Sequence, residues 1–114
     1  MESILVTIKK MLGIDEDYKH FDTDIIVNIN TVFMNLQQLG IGPEEGFRIT
    51  GVEQLWDDYL VDREDIEAVK TYIYLKVKLL FDPPTNSFTI DSHDRQIKEI
   101  EWRLNVQGER GVEE

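Results

Sequence analysis

The chain has 114 residues, no cysteine, 41% hydrophobic and 31% charged residues, and a formal net charge of −11. That length suits one domain with a core of its own, and the balance of apolar to charged residues is globular rather than disordered. Disulfides and thiolate metal sites are excluded, and the acidity is the opposite of the basic face that phosphate binding requires.

The apolar positions Ile4, Ile8, Met11 and Leu12 predict a first helix from Ser3 to Leu12, closed by Gly13. Glu2 precedes this run and no small-residue cleavage site follows it, so a signal peptide is not expected. An acidic loop, IDEDYKHFD, leads to Asp22, which reads as the N-cap of a second helix with Asp24 in its first turn and Phe21 and Ile26 as a hydrophobic staple. This helix carries Ile25, Ile29, Val32, Phe33, Leu36 and Leu39 on one stripe and ends at Gly40. Residues 40–50, GIGPEEGFRIT, form a loop by their glycine and proline content. Thr50 and Glu53 fit a capping box for a short helix, GVEQLWDDYLV, with Leu55–Tyr59 and Trp56–Leu60 as i, i+4 pairs. A new cap at Asp62, with Val61 and Ile66 as its staple, begins a fourth helix from about Arg63 to Phe81, where Pro83 ends it through Asp82. A last helix from Ser87 or Ile90 to Asn105 repeats at Ile90, Ile97, Ile100 and Leu104. The expected fold is all-α: a compact bundle of four main helices plus one short helix over residues 1–105, with residues 106–114 as a mobile acidic tail.

Two helices stand out. The fourth is apolar on most of its circumference, with Ile66, Val69, Ile73, Val77 and Leu80 on one face, Tyr72, Leu75, Leu79 and Phe81 on another and Tyr74 on a third. Such a helix is surrounded, either by its own domain or by a neighbouring subunit. Its Lys70, Lys76 and Lys78 give residues 68–82 a charge of +2, against −11 for residues 15–67. An asymmetry of that kind suits a head-to-tail contact between copies, which pairs two different patches. The second helix has no charged residue between Asp24 and Glu44, and shows the amides Asn28, Asn35 and Gln38 with Thr31, flanked by Asn30 and Gln37. Neutral amides are desolvated at less cost than carboxylates, so this face also suits a protein contact.

No chemistry is legible. His20 and His93 lack partners at ligand spacing. DEDYKHFDTDII begins like a calcium loop but has no central glycine, and Ile26 stands where a bidentate Glu is needed. GIGPEEG has no lysine and follows no strand, so it is not a phosphate loop. Lys76 and Lys78 interrupt the best apolar run below the ~18 residues of a membrane span. A soluble, intracellular, non-enzymatic chain without cofactor or metal, and without sequence-specific nucleic-acid binding, is expected.

The segments VTIKKMLGIDED leading into DTDIIVNINTVF, the helix AVKTYIYLKVKLLFDPP and the closing RQIKEIEWRLNV together resemble the small head–tail connector (head-completion or adaptor) proteins of long-tailed double-stranded DNA phages and prophages. The resemblance spans most of the chain apart from about residues 41–62, longer than the family's link between helices, and the last eight residues. It implies a virion protein of the neck, present in the host cytoplasm during assembly. Such proteins form a ring, typically twelvefold, that joins the portal protein to tail-completion or stopper proteins and extends the DNA channel. Tyr72, Tyr74, Lys76, Lys78, Phe81, Pro83, Pro84, Trp102 and Arg103 are then the candidate subunit or partner contacts, with the last helix and tail facing the portal. Glu44, Glu45, Asp57 and Asp58 are the candidate channel-facing carboxylates. The alternative reading is a small acidic DNA mimic that inhibits a nuclease or a repressor.

Overall fold

Two glycine-ended helices organise the first half of the chain. The computed structural model describes residues 2–59 and 66–113, with side chains as far as Leu104. Ser3 caps α1 (Ile4–Met11) by accepting from the Val6 amide at 3.4 Å. After α1 the Gly13 amide donates to the Lys10 carbonyl and the Ile14 amide to the Lys9 carbonyl; α2 (Asp22–Gln38) ends the same way, through the Gly40 and Ile41 amides on Gln37 and Leu36. Both ends are Schellman motifs, whose C′ residue must be left-handed. Gly13 and Gly40 supply this with φ of +80° and +81°.

Asp22 does not cap α2. Phe21 occupies the cap position without a side-chain bond, and the Asp22 carboxylate lies 2.8 Å from the Lys9 ammonium. The reason is electrostatic. Lys9 is only 1% exposed, and its Nζ also donates to the carbonyls of Glu16 at 3.0 Å and Tyr18 at 2.7 Å. A charge that deep needs a counterion more than one helix end needs a cap. The acidic loop that begins like a cation site therefore closes around the chain's own ammonium.

The segment after α2 is tied back by side chains. Asn30 donates to the Ile49 carbonyl at 3.0 Å and accepts from the Ile49 amide at 2.7 Å, and Gln37 donates to the Glu44 carbonyl at 2.8 Å. The predicted capping box at Thr50 and Glu53 does not form. Gln54 accepts instead from the Thr50 and Gly51 amides, and the short helix begins only at Trp56, as α3 (Trp56–Tyr59). Asp58 reaches back to the Leu55 amide at 2.8 Å, the acidic half of a capping box. One antiparallel bridge between Ser3 and Leu55 pins the N-terminus here, and the Trp56 indole donates to Thr7 Oγ1 at 3.0 Å. Leu60, the Asp62 cap, Val61 and the predicted helix start at Arg63 lie outside the described residues.

The next helix, α4 (Ile66–Phe81), buries Val69, Tyr72, Ile73, Leu75 and Val77 and packs against α1, α2 and α5 (Ser87–Glu113). Its apolar circumference is thus covered mainly by its own chain, with Leu80 left exposed. Asn86 caps α5, its Oδ1 accepting from the Phe88 amide at 2.8 Å and the Thr89 amide at 3.3 Å. The backbone of α5 runs on past Asn105 to Glu113. Gly108 and Gly111 each disfavour helix by ~1 kcal/mol relative to alanine, but no proline follows to stop it. The Cα envelope measures 44 × 36 × 20 Å. A slab about two helix layers thick leaves apolar side chains at its faces.

Candidate protein-interaction site

The candidate contact residues fall into three environments. Tyr72 is enclosed, and its hydroxyl donates to Glu101 Oε2 at 2.8 Å across the α4–α5 seam. Burial, reinforced by the Glu101 carboxylate, pushes its phenol far above the ordinary tyrosine range. It presents no surface to a partner. Tyr74 is half-buried against the core, as is Phe81, whose ring meets that of Phe21 edge-on with centroids 5.2 Å apart. Pro83 is exposed and Pro84 half-buried at the turn, and Trp102 and Arg103 are exposed on α5.

The lysines of α4 do not form a free basic patch. Lys70 lies 3.8 Å from Glu2 and 3.5 Å from Glu67, Lys76 lies 4.0 Å from Glu101, and Lys78 lies 2.8 Å from Asp82. Each is matched by a carboxylate of its own chain. The charge contrast seen along the sequence is therefore largely cancelled in space.

What remains for a partner is mostly apolar. A groove of ≈ 760 Å³ opens where the ends of α1 and α4 meet the start of α2, lined by Leu12, Ile14, Phe21, Val27, Leu80 and Phe81. Asp24 and Asp82 add two exposed carboxylates to its lining. Along α2, Val27, Thr31, Met34 and Gln38 are exposed at 4, 3, 4 spacing, so the uncharged helix face has two apolar side chains in it. Asn30 and Gln37, grouped with that face by sequence, are instead spent on the following loop. A second hollow of ≈ 370 Å³ adjoins Met34, Phe47 and Arg48.

The four candidate channel carboxylates are all exposed. Glu44 and Glu45 precede Phe47 and Asp57 and Asp58 precede Tyr59; these two rings meet at 5.1 Å with their planes tilted by 49°, so the two segments adjoin. His20 lies against Phe21 with ring centroids 4.8 Å apart, and His93 is half-buried. No group of His, Asp and Glu among the described residues is arranged to hold a metal ion, and no described helix is long and apolar enough to cross a membrane.

The groove was not legible in the sequence, because it forms only where the end of α4, distant in the chain, meets the end of α1 and the start of α2. The signal that was available is Val27, an apolar residue within a face otherwise read as polar.

Comparison with known families gives one finding: a family model described as phage connector protein matches residues 4–111. No curated protein and no solved structure matches the chain significantly.

Proposed function

As this chain belongs to the phage connector protein family and is a structural head–tail connector, we propose that it works as one subunit of a ring between the portal and the tail, extending the DNA channel. The observation that carries the ring is that the fold leaves separate apolar surfaces uncovered: the groove at one end of α4, and the outward side of α5 with Phe88 and Trp102. A ring contact joins two different patches, and this chain offers two. Phe81, Asp82, Pro83 and Pro84 set the angle at which α5 leaves the body. The end of α5 beyond Asn105 is the element that docks on the portal. Glu44, Glu45, Asp57 and Asp58 line or rim the channel and keep DNA from sticking, since carboxylates repel phosphates over a screening length of ~8 Å at physiological salt.

The test is to mix the purified chain with portal rings of the same phage and image the product by electron microscopy. A closed ring of many copies beneath the portal, with those four carboxylates toward the axis, is the expected result. A one-to-one complex with a basic nuclease or repressor, recovered from infected cells in place of portal, would overturn the reading in favour of a DNA mimic.

A further inference from the structure

We propose that the groove of one copy receives the outward stripe Phe88–Arg95–Trp102 of α5 from a second copy, which identifies the two halves of the subunit contact; this rests on the ring reading above. The three residues are seven apart, so they recur every two turns along one side of α5. That side is opposite the one on which Ile97 and Leu104 enter the core, which keeps it clear of its own domain. Phe88 is 73% and Trp102 68% exposed, large apolar exposures for a chain that is otherwise heavily charged.

Charge complementarity selects the occupant. Around the stripe, Lys98 is paired with Asp94 at 3.0 Å and Arg103 with Glu99 at 2.7 Å, while Arg95 has no ion pair among the described residues. In the groove, Asp82 is held by Lys78, and Asp24 has no ion pair among the described residues. Of the cations without an ion pair among the described residues, Arg95 is the one set between two exposed aromatics on a single helix side. An apolar trough with an uncommitted carboxylate and an aromatic ridge with an uncommitted guanidinium are complementary in both shape class and charge. No residue lining the groove belongs to α5, so the ridge of the same chain does not fill it. The contact is heterologous: each copy gives its ridge to one neighbour and its groove to the other, as a closed ring requires.

The absence of cysteine makes this directly testable. Asn28→Cys places a thiol in the groove, and Asp91→Cys places one beside the ridge. A short bis-maleimide is added to full-length chains, alone and with portal rings. The expected result is a dimer only when the two single variants are mixed, and a ladder of covalent oligomers from the double variant. Arg95→Glu or Asp24→Lys lowers the ladder yield by about tenfold, the effect of losing one charge-paired contact, and combining the two restores it. Rings that form on the portal without this cross-link would overturn the groove assignment and leave the ring reading standing. Absence of both rings and cross-links would overturn the two together. Dimers from either single variant alone, or a charge swap that fails to restore the yield, would also refute the proposed pairing.

Discussion

Replacing Lys9 by methionine tests the most deeply placed charge in the molecule. The substitution keeps the length and apolar stem of the side chain and removes only the ammonium. Three groups then lose their partner: the Asp22 carboxylate at 2.8 Å and the carbonyls of Glu16 and Tyr18 at 3.0 and 2.7 Å. Breaking a buried ion pair by removing one partner costs about 3–5 kcal/mol, because the remaining charge is left uncompensated. Here the Asp22 side chain is 20% exposed and the two carbonyls belong to a surface loop, so water reaches part of the site. The cost falls at the lower end, about 3 kcal/mol, a large share of the ~5–15 kcal/mol that holds a domain folded. Urea unfolding followed by the fluorescence of buried Trp56 measures it, with an unchanged m-value confirming that both end states are the same. Adding Asp22→Asn to the variant recovers part of the loss, because the orphaned charge is gone, and the double-mutant cycle shows a coupling of about 1–2 kcal/mol. A loss below about 1 kcal/mol for Lys9→Met, or strict additivity with Asp22→Asn, would refute the claim that the acidic loop is organised around this ammonium.

Tyr72→Phe removes the hydrogen bond to Glu101 and costs about 1 kcal/mol at neutral pH. Because the folded phenol titrates above its unfolded value, its stabilisation is complete below pH ~10 and is lost as pH rises toward the folded value; the variant's stability profile is flatter in that alkaline range, as denaturation between pH 8 and 11 checks. Asn30→Ala strands the amide and carbonyl of buried Ile49 and costs about 2–3 kcal/mol, whereas Asn30→Asp keeps the acceptor and costs less; urea midpoints separate the two. Trp102→Ala changes the unfolding free energy of the isolated chain by no more than about 0.5 kcal/mol, since the ring is largely in solvent, while ring assembly on the portal is impaired.

What the sequence made legible is what local physics decides. The buried stripe Ile25, Ile29, Val32, Phe33 and Leu36 follows from a 3.6-residue period, and the two helix ends at Gly13 and Gly40 follow from the left-handed backbone that a Schellman turn demands. What stayed hidden depends on which distant groups meet. Asp22 had two possible roles, cap and counterion, and only the burial of Lys9 decides between them. Lys70 and Lys76 look like free cations until folding brings Glu2 and Glu101 beside them. Phe88 and Trp102 are visible as aromatics in sequence, but their exposure depends on which side of α5 turns toward α4.

The sign of a salt effect follows from these pairings. Each copy carries −11, and with the lysines of α4 neutralised internally, little positive surface is left to offset repulsion between neighbours. Attraction between copies must come mainly from apolar contact, which salt does not screen, with the Asp24–Arg95 pair fixing register. Raising salt from 0.05 to 0.5 M shortens the screening length from about 14 Å to about 4 Å and weakens repulsion between whole subunits far more than one desolvated pair in contact. Assembly of the ring is therefore expected to tighten with salt over this range, measured as the subunit concentration at half-assembly by mass photometry. A DNA mimic behaves in the opposite way, because its affinity for a basic partner is the attraction that salt screens. Assembly that weakens steadily with salt would mean that charge attraction, rather than the apolar groove and ridge, holds the copies together.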